Sequence, residues 1–223
     1  MTNACLYSGG KDSTMALHKA SERGINIDLL ISMLPENNAS YMFHHPNMNF
    51  TRLQAEALSI RQEFVNTKGE KEKELLDLEN AFKNFNVKLL VTGATYSRYQ
   101  ADRIRKITDR LEIENMAPLW HVDPLAELNE LSEKYEAIIS SVSAEGLDDS
   151  YLGERIDKKM IARLEKLNKE HGINMVFEGG EAESFVLNAP LFKKRIKIKK
   201  ARKEWDGTRG TFIIEDAELI KKD

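Results

Sequence analysis

The amino-acid sequence predicts an α/β protein, a parallel sheet flanked by helices with a smaller C-terminal α+β subdomain. Three observations carry that expectation. Over residues 1–145 short apolar, β-rich runs alternate with longer segments of helical period, the pattern of βα units around a parallel sheet. After Gly146 the pattern changes to one long amphipathic helix followed by a β-rich remainder. A total of 223 residues, 41% hydrophobic with only 12 Gly and 5 Pro, suits a globular core of one large domain or one domain with an appendage.

Taken in order, strands are expected over Ala4–Tyr7, Ile27–Leu34, Val87–Thr92 and Ala137–Val142, with Phe64–Asn66 as a short further one. Helices are expected over Ser13–Arg23, Thr51–Gln62, Lys71–Asn84, Tyr99–Leu111 and Pro124–Tyr135. Their apolar positions, such as Leu75, Leu78 and Phe82, recur at three- and four-residue steps and lay one face on a sheet. The long C-terminal helix is expected over Leu152–Lys169, ending near Gly172. Residues 35–49, polar and aromatic without a period, follow a strand at the end where loops of α/β proteins gather around a ligand.

Composition also excludes classes of function. A single cysteine, Cys5, forms no internal disulfide and no cysteine-rich metal site, which points to a reducing compartment and a cytoplasmic location. The opening MTNACLYSGG has no basic region before an apolar run, and no stretch approaches the ~18 apolar residues of a membrane helix. With 33 Lys+Arg against 36 Asp+Glu, the formal charge of −3 gives no global attraction to nucleic acid.

The most informative segment is Ser8-Gly9-Gly10-Lys11-Asp12-Ser13, where a strand runs through a Gly-Gly turn into a helix. Glycines let the backbone turn sharply and bring N–H groups to an anion, and the helix N-terminus adds its positive dipole. A Walker A loop requires Gly where Cys5 stands and Ser or Thr where Asp12 stands, and no GxGxxG is present. The plain alternative is a turn with Ser8 or Asp12 as an N-cap.

Ser-Gly-Gly-x-Asp-Ser resembles the PP-loop of the ATP pyrophosphatases, which cleave ATP between the α- and β-phosphates. That resemblance implies a HUP-like (adenine nucleotide alpha-hydrolase) fold. It also implies that Ser8, Gly9, Gly10, Lys11, Asp12 and Ser13 hold the pyrophosphate, with Asp12 bracing the loop or binding Mg²⁺. Thiolating relatives use cysteine pairs or clusters, which a lone Cys5 cannot supply, so amidation or ligation remains.

A second block, Glu178-Gly179-Gly180-Glu181-Ala182-Glu183-Ser184, sets three carboxylates around a Gly-Gly turn. By itself it reads as a solvated acidic turn, or as a site for a cation or a proton. Together with the first block it resembles the signature of the diphthine-ammonia ligase family, and the likeness spans nearly the whole chain. It includes Ser40-Tyr41-Met42-Phe43-His44, Gly93-Ala94-Thr95-Tyr96-Ser97-Arg98-Tyr99-Gln100 with Arg103, Pro118-Leu119-Trp120, and Ser143-Ala144-Glu145-Gly146-Leu147-Asp148. The compact length is similar to the archaeal form, and the departure is Ala182, where family members often carry an aromatic.

The resemblance implies a PP-loop ATP-binding domain over residues 1–145 and a substrate-binding subdomain over 146–223. The implied reaction is ATP-dependent amidation of diphthine on translation elongation factor 2 by ammonium, through an acyl-adenylate, with ATP and Mg²⁺ required. Lys11, Asp12, Glu178, Glu181 and Glu183 are the implied catalytic residues, and Gly93 joins the nucleotide site. Tyr41, His44, Ser97, Tyr99, Gln100, Arg103, Glu145, Gly179, Gly180 and Ser184 are implied on the substrate side. The substrate carries a quaternary ammonium group, for which an aromatic wall is expected among Tyr41, Phe43, Tyr96, Tyr99 and Trp120. Adjacent His44 and His45 point to opposite faces of an extended segment, so joint metal ligation is not expected.

Residues 193–203 form a basic run in which Ile196 and Ile198 alternate with Arg195, Lys197 and Lys199. This suits a strand with one buried face, either a charged edge, a dock for an acidic partner, or an RNA contact. Competing readings are a PP-loop tRNA-modifying ligase and a non-catalytic adenine-nucleotide sensor. No stable nucleic-acid binding is expected, and a homodimer is compatible with the sequence.

Overall fold

A computed structural model describes residues 1–35, 47–68 and 73–222. In chain order the elements are β1 (Thr2–Leu6), α1 (Lys11–Glu22), β2 (Leu29–Pro35), α2 (Thr51–Leu58), β3 (Arg61–Thr67), α3 (Lys73–Asn84), β4 (Val87–Val91), α4 (Arg98–Arg110) and β5 (Glu114–Met116). They continue with α5 (Pro124–Lys134), β6 (Glu136–Val142), α6 (Lys158–His171), β7 (Ala182–Asn188), β8 (Lys194–Trp205) and β9 (Gly210–Lys221). The chain divides into two compact units. Of the described residues, 1–8, 12–35, 59–68 and 73–120 form the first, and 9–11, 47–58 and 121–222 the second.

The first unit is a five-stranded, all-parallel sheet in the order β3-β2-β1-β4-β5. Strand order reverses at β1, which pairs with β2 on one side and β4 on the other, and ligands of such sheets bind beyond the carboxyl ends of the strands at that reversal. Leu78 and Phe82 of α3 and Ile104 and Ile107 of α4 repeat at helical steps and pack with Leu29, Ile31 and Leu90 of the sheet. Fully burying a side chain such as Leu78 or Phe82 stabilises the unit by about 2–3 kcal/mol. The short run around Phe64 is a strand of seven residues, Arg61–Thr67. The helix expected over Thr51–Gln62 stops at Leu58, where Ser59 takes a left-handed φ of 58°.

The second unit holds an antiparallel sheet in the order β7-β6-β9-β8. The Ala137–Val142 run therefore pairs with β7 and β9, not with the parallel sheet to which its sequence neighbourhood assigns it. Its core residues Ala137, Ile138, Ile139 and Ser140 are all buried, so it reads like a strand of a parallel sheet covered on both faces. The helix expected from Leu152 begins at Lys158. Asp157 ends the preceding segment by accepting hydrogen bonds from Lys159 N and Met160 N, and Gly172, at φ 69°, closes the other end. Asn47 acts on β9 like a short piece of strand: its Nδ2 donates to Phe212 O and its Oδ1 accepts from Ile214 N.

The basic run is β8, the edge of this sheet, with Ile196 buried and Lys197 and Lys199 exposed. Acidic side chains of β9, and Glu204 of β8 itself, answer it. Lys199 meets Asp216 and Glu218, Lys200 meets Glu215 at 2.7 Å, and Arg202 meets Glu204 and Glu215. Exposed pairs contribute little stability individually, but a charged edge blocks pairing with other strands.

Candidate active site

In the first unit, β1 and β4 run side by side, with Cys5 opposite Val91, and each leads into a glycine-containing segment. Beyond β1, Ser8 N and Ser8 Oγ both lie 3.3 Å from Ser13 Oγ, which closes the two ends of the motif on each other. Beyond β4, Gly93 approaches the first turn of α1 so closely that a Cβ there would sit 2.7 Å from Asp12 C and Ser13 N. Glycine is needed at 93 for space. Asp12 is half-buried beside it.

On α4, the Arg103 guanidinium stacks over the Tyr99 ring, 3.5 Å from its centroid. That face of Tyr99, one of the five aromatics among which a wall for the substrate's cation is expected, is covered by an internal cation. Ser97, half-buried, immediately precedes this helix, and its carbonyl accepts from Ala101 N. The expectations for Tyr41, Phe43, His44 and His45 lie outside the described residues, as does the side chain of Gln100.

The second unit holds the Gly9–Lys11 turn itself. Gly9 has φ +77°, and a Cβ on it would fall 2.3 Å from Gln54 Oε1 and 2.7 Å from Thr51 Cγ2. The Gly9 carbonyl accepts from Val186 N at 3.0 Å and from Gln54 Nε2 at 2.9 Å, and the same Nε2 donates to Val186 O at 2.7 Å. The Lys11 N–H donates to Ser184 Oγ at 3.0 Å, so the two sequence motifs meet directly.

Two expected site residues have partners within this unit. The Lys11 side chain is 1% exposed and its ammonium lies 2.7 Å from Glu127 Oε1 of α5, whose side chain is fully buried. Its charge is balanced inside the unit. Ser184, expected at the substrate, receives the first N–H of α1.

The acidic turn is braced rather than flexible. Glu181 accepts from Asn174 N at 3.0 Å with one carboxylate oxygen and from Gly179 N at 2.8 Å with the other. Ser143 donates from Oγ to Gly180 O and from N to Glu181 O. Of the three carboxylates expected to take part in catalysis, Glu181 thus also braces the turn. Alternation along β7 turns Glu183 to the face opposite Ser184. Glu178 stays half-buried on the turn, and Glu145 is 89% exposed at 3.7 Å from His171 Nδ1.

Gln54 and Glu127 are the residues sequence reading missed. Gln54 falls among the buried positions Thr51, Ala55 and Leu58 of α2, and Glu127 beside Leu128 and Leu131 on α5. A polar residue on an apolar helical face was the available signal.

The turn, two serines and the N-terminus of a twelve-residue helix fit a polyphosphate. Among the described residues no group of three or more His, Cys, Asp or Glu is gathered for a metal. Asp12, half-buried in the first turn of α1, is a carboxylate that could hold Mg²⁺ together with phosphate and water oxygens. Among the described residues no helix is long and apolar enough to cross a membrane.

Comparison with known proteins extends this picture over the chain. Residues 1–115 match the diphthamide synthase N-terminal domain, and residues 123–220 match the diphthamide synthase C-terminal domain. A Homo sapiens protein named diphthine–ammonia ligase is 32% identical over 222 residues, covering 89% of this chain and 83% of its own. The Bos taurus protein of that name is 34% identical with the same coverage, and that of Danio rerio 32% identical over 86% of this chain and 84% of its own. On these matches to both halves, the chain belongs to the diphthamide synthase family.

Proposed function

We propose that this protein is an AMP-forming ligase that joins ammonia to the carboxylate of diphthine on translation elongation factor 2, with ATP and Mg²⁺. The observation that carries the reading is the hydrogen bond from Lys11 N to Ser184 Oγ, which ties the anion-binding turn to the second motif in one unit. A carboxylate is a poor acyl donor because oxide would have to leave. In this reading its oxygen attacks the α-phosphorus of ATP, pyrophosphate departs, and an acyl-adenylate forms. Ammonia then attacks the acyl carbon and AMP leaves.

Charge builds on the departing pyrophosphate at the first step. Backbone N–H groups of the turn, the Ser8 and Ser13 hydroxyls and the α1 dipole oppose that charge, and Asp12 would hold a Mg²⁺ ion, which would supply neutralisation of phosphate charge. Gly93 lets the chain beyond β4 close on the same helix turn. Ammonium must lose a proton before it attacks. Glu181 is engaged by two backbone N–H groups, and Glu178 of the same turn is the carboxylate we assign to that transfer. A protein substrate of this kind places the enzyme in the cytoplasm.

The test is release of AMP and pyrophosphate on incubation with ATP, Mg²⁺, ammonium and diphthine-bearing elongation factor 2. Release that requires both ammonium and the factor is expected. Nucleotide binding without turnover would replace this reading with a sensor, and turnover that requires tRNA with a tRNA-modifying ligase. Glu178→Gln is expected to lower amide formation while acyl-adenylate still accumulates; loss of both steps would move Glu178 to substrate or metal binding.

A further inference from the structure

Gln54 and Glu127 take no part in the chemistry above, yet both are buried and bonded to the turn that receives the phosphates. We propose that they are positioning residues for pyrophosphate: Gln54 acts through the Gly9 carbonyl and Glu127 through the Lys11 side chain. The inference rests on reading Gly9–Lys11 as the pyrophosphate site.

Gln54 is fully buried, and its Nε2 bridges the carbonyls of Gly9 and Val186. Val186 N donates to the same Gly9 oxygen, so two donors fix the direction of that carbonyl. A trans peptide is planar, with its N–H pointing opposite its C=O. Holding the Gly9 carbonyl toward Gln54 and Val186 therefore aims the Gly10 N–H the other way, a setting the flexible Gly9-Gly10 pair would not keep alone. Gln54 Oε1 has no hydrogen-bond partner among the described residues and lies where a Cβ of residue 9 would be, so the side chain also enforces glycine there.

Lys11 is the first residue of α1, and its buried ammonium is tolerable only with an anionic partner. Glu127 of α5 is that partner. Three elements thus converge on the Gly9–Lys11 turn: α2 on the Gly9 oxygen, β7 on the Lys11 amide through Ser184, and α5 on the Lys11 ammonium.

The test measures binding of ATP, pyrophosphate and AMP to the full chain by titration calorimetry. Glu127→Leu and Gln54→Met are each expected to weaken ATP and pyrophosphate by about tenfold or more while leaving AMP, which lacks the β- and γ-phosphates, unchanged. ATP and AMP weakened alike would show general damage and overturn the proposal, and ATP and pyrophosphate affinities left at the parental level in both variants would overturn it too. If Glu127→Leu does not fold, Gln54→Met decides through the same ATP-to-AMP ratio. A parent that binds none of the three ligands would instead overturn the ATP reading itself.

Discussion

The turns at Gly9–Gly10 and Gly179–Gly180 share a dipeptide and a left-handed glycine, at φ +77° for Gly9 and +79° for Gly180, but their surroundings are opposite. Gly9 is enclosed by Gln54 and Thr51, and its carbonyl is fixed from two other segments of the chain. Gly180 is exposed, a Cβ on it would meet nothing within 4 Å, and its turn is held by the carboxylate of Glu181 next door and by Ser143. One turn needs glycine for both conformation and room, the other for conformation alone. A rigid frame imposed from outside suits a site that must be set before its anion arrives, whereas the second turn leans in part on its own carboxylate.

Substitution tests this contrast most sharply at Gly9. Gly9→Ala adds left-handed strain to a collision with Gln54 Oε1, and is expected to destabilise the protein by about 3 kcal/mol or more and to abolish measurable ATP binding. Thermal melts and calorimetry would show it; a variant that binds ATP normally would break the contrast. Next in size is Glu181→Ala, which strands two backbone donors that now bond a carboxylate. A loss of about 2 kcal/mol is expected, or roughly 4–8 °C in Tm for a chain of this length, with the KM for ATP unchanged. A rise in that KM would show that the second turn also serves the nucleotide.

The smallest effect is expected at Gly180. Gly180→Ala meets open space and only the positive φ opposes it, at a cost of about 1 kcal/mol, and Gly180→Asn less still. If Gly180→Ala were as damaging as Gly9→Ala, the turn would be packed against something in its working state.

Much of this contrast was visible in the sequence, but unevenly. The Gly-Gly pairs, the parallel βα repeats and the alternation of Ile196 and Ile198 are local patterns, and each lies where its pattern puts it. Partners distant along the chain left no such trace. β5, three residues of which two are exposed, offered no apolar run to read. The continuous apolar run of β6 looked like its parallel neighbours because burial on both faces writes the same sequence in either sheet. Leu152 and Ile156 extended the helical period of α6 backward, although Gly153 and Asp157 mark a start further on. Lys11, Glu181 and Ser184 stood in motifs that suggest contact with ligands, while the atoms that engage them come from residues 127, 174 and 11.

Cys5 carries a practical consequence. Its sulfur is fully buried in β1, and burial pushes the thiol pKa far above its usual value, so little thiolate exists at neutral pH. Since it is the single cysteine of the chain, the folded protein should present almost no reactive sulfur to maleimides or iodoacetamide. A cysteine placed at an exposed position such as Thr208 would then take a fluorophore or spin label alone, without first removing the native one.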